Sequence, residues 1–238
     1  MTGPSFWIRL RMRVDRVVAV ALLVVTSPLM AVLAVLFRRH DGHTAFITVP
    51  RVGRDGRTFG MWKLRSMRVD DDRGRASGAA LTASADDRVT PVGSRMRSLH
   101  LDELPQLLNV ARGEMCLLGP RPEAPEFVHD TDEWASVLAV PPGIAGPTQL
   151  IVGDWERTEI DRDPTGAAYE DAVVPVKLAI DGWYVRSATP ALDLLVAISL
   201  LRHVLPGGEG PALQRRVRRC VPPAAPALEH LARVDRAR

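Results

Sequence analysis

The sequence of 238 residues has few cysteines, few lysines and few aromatic residues. Its two cysteines, Cys116 and Cys220, lie far apart, which argues against a disulfide framework or a zinc site and fits a reducing compartment. Aromatic residues make up only 5% of the chain, which disfavours a protein that stacks nucleic-acid bases. Hydrophobic residues make up 46%, so the chain can bury a sizeable core and is not expected to be disordered.

The formal net charge is only +3, but the pI is about 9.3 because arginine is abundant and lysine is rare. The arginines are clustered, and clusters of this kind attract phosphate groups of lipids, nucleotides or nucleic acids. One cluster precedes a long apolar run, a pair follows that run, and a third cluster lies near the C-terminus: Arg9, Arg11, Arg13 and Arg16; Arg38 and Arg39; Arg215, Arg216, Arg218 and Arg219.

The apolar run covers residues 17–37 and predicts a membrane segment. A helix of this length extends roughly 30 Å, which is the thickness of the hydrocarbon core of a bilayer. A cleaved signal peptide is disfavoured because the run is long, contains Pro28 in its middle and is followed by Arg38 and Arg39 without a cleavage site. A single spanning helix and a re-entrant hairpin remain.

Pro28 favours a break in this helix. It has no N–H, its ring clashes with the carbonyl of Val24, and it disfavours helical geometry at Ser27. We expect the hydroxyls of Thr26 and Ser27 to satisfy backbone groups that the proline frees. Arginines flank the run on both sides, so the bias that sets orientation is nearly tied unless both ends stay cytoplasmic. The residues alone leave both topologies open.

The rest of the chain divides by composition. Asp55-Gly56 predicts a hairpin turn between two short strands. The acidic run Asp70–Asp72 is interpreted as a solvated loop, with metal binding the less favoured alternative. Residues 154–170 are expected to be irregular, while residues 173–185 and 191–205 are expected to be helical. Residues 206–238 are predicted to form a flexible tail, with room for a short helix.

The stretch L-D-E-L-P-Q-L-L-N-V-A-R-G-E carries the candidate chemistry. Its leucines have helical spacing, Pro105 is tolerated only in a first turn, and Gly113 is a plausible stop. Asp102 and Glu103 therefore lie at or just before a helix N-terminus. Acidic residues there often only complement the helix dipole. In the functional interpretation, the helix end attracts phosphate, Asp102 is a nucleophile and Glu103 holds Mg²⁺.

A diphosphate substrate also needs fixed cations around its oxygens. The candidates are Lys63, Arg65, Arg97 and Arg121, each of which is otherwise a surface charge. Arg121 is favoured because the prolines of Gly119-Pro120-Arg121-Pro122 make a rigid loop around it. Residues 141–147, also rich in proline and glycine, are expected to form a second rigid loop.

Eight motifs in order, spread over residues 13–205, make the chain resemble the bacterial sugar transferase family, the monotopic phosphoglycosyltransferases that act on polyprenyl phosphate. They are the apolar segment with Ser27-Pro28, R-V-G-R-D-G-R-T-F (51–59), K-L-R-S-M (63–67), D-D-R-V-T-P-V-G (86–93), L-D-E-L-P-Q-L-L-N-V (101–110), G-P-R-P (119–122), P-G-I-A-G (142–146) and P-V-K-L-A-I-D-G-W-Y-V (175–185).

The resemblance implies an α/β fold, mostly α with a small β-hairpin, in three parts. Residues 1–40 would form a basic segment and a re-entrant membrane helix broken at Ser27-Pro28. Residues 41–205 would form a compact cytosolic catalytic domain, and residues 206–238 the tail. The domain would lie on the cytoplasmic face of the bacterial inner membrane, with the basic clusters against anionic lipid.

The resemblance also implies a reaction. Asp102 matches the family nucleophile, which attacks the β-phosphate of a UDP-sugar, releases UMP and forms an aspartyl-phosphosugar intermediate. Glu103 matches the Mg²⁺ ligand, and Arg97 and Arg121 match basic positions near the phosphates. Undecaprenyl phosphate would then accept the phosphosugar, as a first membrane step of extracellular polysaccharide or glycoconjugate synthesis.

The sequence departs from the family pattern at a few positions. Asp86-Asp87-Arg88 stands where the family has D-P-R. Pro91 and Ser94 occupy positions around Val92-Gly93 that are commonly basic, and the stretch after Gly146 lacks the Gly-Arg often seen there. These departures bear on the sugar identity and on some phosphate contacts, and they leave the Asp102–Glu103 pair intact. The alternative function is a catalytically inactive, membrane-anchored binding or scaffold protein on the same fold.

Overall fold

The computed structural model describes residues 6–67, 88–204 and 211–237. Within them the protein is mostly helical, with two small two-stranded sheets. The expected acidic loop at Asp70–Asp72 and the departures at Asp86 and Asp87 lie outside the described residues. The elements are α1 (Phe6–Asp41), β1 (Phe46–Val52), β2 (Thr58–Leu64), α2 (Pro91–Ser98), α3 (Gln106–Arg112), β3 (Cys116–Leu118), α4 (Asp132–Val137), β4 (Gly143–Ala145), α5 (Pro147–Arg162), α6 (Val174–Ser187), α7 (Pro190–Val204), α8 (Pro211–Cys220) and α9 (Ala225–Ala237).

The predicted hairpin is present. Strands β1 and β2 pair antiparallel, from Phe46 opposite Leu64 to Val52 opposite Thr58. The turn between them places Asp55 at φ 58° and Gly56 at φ 73°. Two successive positive φ values give the turn a twist that suits paired strands, and they explain why Asp-Gly stands there.

Helix α1 runs without interruption through Pro28. The Ser27 hydroxyl donates to the Val24 carbonyl at 2.8 Å, which is the carbonyl that the missing proline N–H leaves without its helical partner. The Thr26 hydroxyl likewise donates to the carbonyl of Leu22 at 2.8 Å. The expectation is therefore confirmed for Ser27, which takes over the carbonyl that the proline frees, while Thr26 bonds a carbonyl that the proline does not free.

Helix α1 is long and apolar enough to cross a membrane. Much of its middle is exposed, since Val24 and Val25 keep 69% and 74% of their surface, although Ala19 is buried against α3 and β2. Its two ends, in contrast, both pack on the rest of the protein. Ile8 belongs to a cluster with Val140, and Phe37 belongs to a cluster on the hairpin and on α2. Both ends of the apolar helix therefore lie against the same domain.

A buried polar network also fastens the N-terminal end of α1. Arg11 donates to Asp193 of α7 at 2.6 Å and to the hydroxyl of Tyr184 of α6 at 2.9 Å. Asp15, one turn later, accepts from the backbone N–H of Leu117 at 3.1 Å. Charged groups that are buried in pairs are costly to separate, so these contacts fix α1 to α6, α7 and β3.

The main hydrophobic core joins α5 and α6 to the last three helices. Its most deeply buried members include Tyr169, Ile180 and Leu192. The expectation of irregular structure over residues 154–170 is wrong for its first part, because α5 continues to Arg162 and buries Ile160.

The C-terminal residues differ from the flexible tail that the sequence predicted for 206–238. Residues 211–237 form α8 and α9, which are more than a short helix. Leu213 and Val217 of α8 and Leu228 of α9 are buried in the main core. The four arginines of α8 are exposed, and they project from a helix with one buried apolar stripe. High arginine and proline content concealed that stripe in the sequence.

Candidate active site

Asp102 and Glu103 lie in a single 3-10 turn, Leu101–Glu103, immediately before α3. Pro105 precedes the first residue of α3 and Gly113 ends that helix at φ 81°. The predicted position at a helix start is therefore confirmed. The turn is introduced by His100 in the left-handed region, at φ 54°. Both carboxylates are almost buried, with 5% of Asp102 and 8% of Glu103 exposed.

Two of the four predicted cations lie beside this pair. Arg121 Nη2 donates to Glu103 Oε1 at 2.7 Å. Lys63 Nζ lies 3.4 Å from Glu103 Oε1 and 4.0 Å from Asp102 Oδ2. The amine of Lys63 thus bridges the two carboxylates from β2, while Arg121 approaches Glu103 from the loop after β3.

The two carboxylates respond to this environment in opposite ways. Burial raises the pKa of Asp102, and the positive charge of Lys63 opposes that shift without cancelling it. Burial acts to raise the pKa of Glu103 too, but Arg121 and Lys63 outweigh it and hold that pKa well below its usual value. Glu103 is therefore firmly ionised, whereas the charge on Asp102 is poorly compensated. A carboxylate with few stabilising partners is the better nucleophile of the two.

The other two predicted cations are placed differently. Arg97 of α2 lies close enough to Asp102 to act against the rise of its pKa, and its guanidinium reaches the sulfur of Met67 at 3.9 Å. Arg65 is buried, with 5% of its surface exposed. Its backbone N–H bonds to Ala45, and among the described residues its side chain makes no ion pair with either carboxylate. Arg97 joins the candidate site and Arg65 does not contact it.

Asn109 fixes the distance between the pair and Lys63. Its side chain is fully buried. Its amide oxygen accepts from the backbone N–H of Trp62 at 2.9 Å, and its amide nitrogen donates to the carbonyl of Gly60 at 2.9 Å. One side chain of α3 thereby continues the hydrogen bonding of β2. Asn109 was not among the predicted site residues, although it lies within the motif that contains Asp102.

The loop that carries Arg121 is held by close backbone packing. An added Cβ at Gly143 would lie 2.1 Å from the backbone nitrogen of Gly119, and one at Gly146 would lie 2.2 Å from the carbonyl oxygen of Gly119. The two proline- and glycine-rich loops therefore touch through their backbones, which only glycine permits. The second loop contains β4, paired in parallel with β3, so it is more regular than the sequence indicated.

A buried ionic network anchors the same loop two residues after Arg121. Glu123 accepts from Lys177 at 2.8 Å and from the hydroxyl of Tyr169 at 2.6 Å. The charge of Lys177 and these hydrogen bonds hold the pKa of Glu123 below its usual value, against the effect of burial. Arg51 lies near both Glu123 and Arg121, and burial lowers its pKa. No local sequence signal marks this network, because its members are spread over 127 positions of the chain.

Two of the departures from the family pattern have structural roles. Pro91 is the first residue of α2, and the Thr90 hydroxyl caps that helix by accepting from the N–H of Gly93 at 2.9 Å. After Gly146 the chain enters α5, where Thr148 donates to Asp181 of α6. Burial raises the pKa of Asp181 to about 7.

The donor set limits how a divalent cation would be held. The described residues contain no group of three metal-binding side chains. Mg²⁺ needs only one or two carboxylates when substrate phosphates and waters complete its shell. Both cations beside Glu103 approach its Oε1 atom. The ionised Glu103, whose Oε2 atom is used by neither of these two contacts, is the residue that would hold such an ion.

Comparison with known proteins identifies the family. The model for "Bacterial sugar transferase" matches residues 7–207. The chain belongs to the bacterial sugar transferase family. The match runs from the start of α1 to the end of α7, so it includes the apolar helix, the hairpin and the Asp102–Glu103 turn.

Individual sugar transferases resemble the chain over most of its length. A UDP-N-acetylgalactosamine-undecaprenyl-phosphate N-acetylgalactosaminephosphotransferase of Aeromonas hydrophila is 34% identical over 81% of this chain and 43% of its own. A UDP-glucose:undecaprenyl-phosphate glucose-1-phosphate transferase of Caulobacter vibrioides is 37% identical over 69% of this chain and 63% of its own. The exopolysaccharide production protein ExoY of Sinorhizobium fredii is 31% identical over 80% of this chain and 83% of its own. The chain thus spans less than half of the Aeromonas relative.

Proposed function

We propose that this protein transfers a phosphosugar from a UDP-sugar to undecaprenyl phosphate. In the first step an Asp102 carboxylate oxygen attacks the β-phosphorus, and the bond from that phosphorus to the bridging oxygen breaks. UMP leaves with the bridging oxygen, and the phosphosugar stays on Asp102. In the second step a phosphate oxygen of undecaprenyl phosphate attacks the same phosphorus, which releases Asp102 and yields undecaprenyl-diphosphate-sugar.

The charge pattern around the buried carboxylate pair is the observation that carries this proposal. Arg121 and Lys63 lower the pKa of Glu103, while the pKa of Asp102 stays raised by burial although Lys63 opposes the shift. A nucleophile of this kind is reactive because its charge is not neutralised by a tight hydrogen bond. Lys63, Arg97 and Arg121 lie where a diphosphate would need cations as negative charge develops on the departing phosphate.

Magnesium is part of the proposal through Glu103. When bound, the ion would supply charge neutralisation for the diphosphate oxygens. Arg121 holds Glu103 in place at 2.7 Å, and the backbone contact between Gly119 and Gly143 holds the loop of Arg121. The protein's own contribution is thus to orient Glu103 for the cation and to hold Asp102, whose charge is less compensated, directly beside it.

The proposed topology is re-entrant, with the domain on the cytoplasmic face of the bacterial inner membrane. Its support is that Ile8 and Phe37, near opposite ends of α1, both pack on the domain. A straight spanning helix would carry one end roughly 30 Å away, across the hydrocarbon core. The hydroxyl of Ser27 bonds the carbonyl left open by Pro28, so this backbone group keeps a partner inside lipid. This placement brings soluble UDP-sugar and a lipid phosphate to one site.

A panel of UDP-sugars tests the proposed reaction. Purified protein would be incubated with undecaprenyl phosphate, Mg²⁺ and each donor, and UMP would be measured. We expect UMP release and a lipid-linked diphosphate sugar with at least one donor, and neither product with the Asp102→Asn variant. UMP release from no donor would instead favour an inactive, membrane-anchored scaffold on the same fold.

A further inference from the structure

A second basic site lies at the N-terminal part of α1, away from the carboxylate pair. There the structure has an open cavity of about 410 Å³, lined by four arginines together with Met12, Asp55 and Ala139. Arg9, Arg13 and Arg16 come from successive turns of α1, and Arg54 comes from the turn between β1 and β2. The backbone N–H of Asp55 bonds to the carbonyl of Leu138 at 2.8 Å, so the hairpin turn is fixed against the residues that follow α4.

The charge in this cavity is poorly compensated. Among its lining residues, all of which the structure describes, Asp55 is the one carboxylate, and it pairs with Arg54 at 3.0 Å. Arg16 rests against Gly113, at the C-terminal end of α3, where a helix dipole favours a cation. Within the described residues, Arg9 and Arg13 form no ion pair. With one carboxylate among four arginines, the lining keeps a net positive charge, which favours an anion there.

The surroundings of the cavity distinguish the kind of anion. Phe6, Leu10, Val14 and Val17 follow one another at helical spacing, beside the arginine row, and 42% to 75% of each is exposed. A helix with a basic row next to an exposed apolar row lies in the membrane interface. Here it leads directly into the apolar run. A ligand that carries a phosphate next to acyl chains can contact the arginine row with its phosphate and the apolar row with its chains.

The cavity is also distinct from the candidate active site. Arg54 lies before the start of β2 and Lys63 lies near its end. At the rise of a β-strand, the length from Arg57 to Lys63 is roughly 20 Å. The length of α3 also separates Arg16 from Asp102. Arg16 lies against Gly113 at the C-terminal end of α3, whereas Asp102 precedes the N-terminal end of that helix.

We propose that this cavity binds the headgroup phosphate of an anionic phospholipid that is not a substrate. Arg9, Arg13 and Arg54 contact the phosphate, and the apolar row of α1 contacts the acyl chains. The bound lipid ties the tip of the β1–β2 hairpin to α1 at the membrane surface. This inference rests on the proposed membrane topology and not on the assignment of Asp102.

The test measures lipid binding by thermal stability of the full chain in a neutral detergent. Short-chain phosphatidylglycerol would be titrated into the wild type and three variants. These are the double variant Arg13→Gln/Arg54→Gln, the single variant Arg13→Gln, and the control Arg57→Gln. Arg57 is exposed three residues beyond Arg54 and does not line the cavity, so Arg57→Gln removes the same charge at the same turn. Phosphatidylcholine and inorganic phosphate would be titrated in parallel.

We expect phosphatidylglycerol to raise the unfolding temperature saturably, with the midpoint at least about tenfold higher for the double variant, since each arginine near anionic lipid contributes measurably. Arg13→Gln should fall between, and Arg57→Gln should match the wild type. Equal midpoints in the wild type and the double variant would overturn the site. An equal effect of inorganic phosphate would show a free-anion site and overturn the lipid. If the wild type releases UMP but its unfolding temperature does not change with phosphatidylglycerol, this inference is overturned and the proposed reaction stays intact.

Discussion

At the scale of single residues, the two adjacent carboxylates are expected to affect stability in opposite directions. Asp102 has a raised pKa, so its charge at neutral pH destabilises the fold, and Asp102→Asn should unfold at the wild-type temperature or above it. Glu103 has a lowered pKa and a charged hydrogen bond to Arg121, so Glu103→Gln should lose about 1.5–3 kcal/mol. Thermal unfolding at neutral pH measures both variants, and a lower unfolding temperature for Asp102→Asn than for Glu103→Gln would contradict the account.

The raised pKa of Asp102 also fixes the sign of a pH effect. As pH falls through that pKa, Asp102 gains a proton and stops acting as a nucleophile, so UMP release should decline at a higher pH than for an ordinary aspartate, whose pKa is about 3.9. The measurement is a single-turnover burst of UMP without undecaprenyl phosphate, because the acceptor titrates as well. Glu103, with its lowered pKa, stays ionised over this range. A burst that persists unchanged below about pH 3.9 would contradict the assignment.

At the scale of elements, sequence patterns predicted structure where the signal is local. Asp55-Gly56 dictates its turn through two positive φ values, and the leucine spacing with Pro105 and Gly113 delimits α3. The pattern failed for α5 and for α8 and α9. These helices are rich in charged or proline residues, and only a narrow stripe, such as Leu213 and Val217, is apolar. Their stability comes from the core that they meet after folding, which no local pattern displays.

The C-terminal helices provide a direct test of this difference. Leu213 of α8 is 1% exposed in the main core, so Leu213→Ala should lower the free energy of unfolding by about 2–5 kcal/mol. Arg215, two residues later, is exposed, and Arg215→Ala should change it by no more than about 0.5 kcal/mol. Chemical denaturation in detergent compares the two. If the tail were flexible, neither substitution would change the free energy of unfolding.

At the scale of the whole molecule, the candidate site combines what the sequence displays and what only the fold assembles. The Asp102–Glu103 pair and Arg121, which lies between two prolines, are each recognisable from a short continuous stretch of sequence. Arg65 was predicted with them, but it lies one residue beyond the end of β2 and is buried without an ion pair to either carboxylate among the described residues. Asn109, Glu123 and Lys177 escaped notice because their partners are distant in sequence and meet only after the helices pack.

The proposed topology makes a prediction for the whole chain in its membrane. Peptide tags at Met1 and at Arg238 should both resist a protease added to intact spheroplasts and be digested after lysis. The reason is that both ends of α1 lie against one domain. Pro28→Leu should expose part of the Met1 tags, because it restores the missing N–H and favours a straight span. Ala31→Leu changes an exposed residue three positions later without removing a proline and is the matched control. A Met1 tag digested in wild-type spheroplasts would contradict a re-entrant α1.

The most direct test of the central claim is to trap the covalent phosphosugar. The protein would be mixed with Mg²⁺ and a donor labelled in its β-phosphate, quenched before any acceptor is added, and mapped by peptide mass spectrometry. We predict one label per chain on Asp102, its loss when undecaprenyl phosphate is added, and no label in Asp102→Asn. Rapid formation of the lipid-linked product by a chain that never carries label on Asp102 would contradict the account.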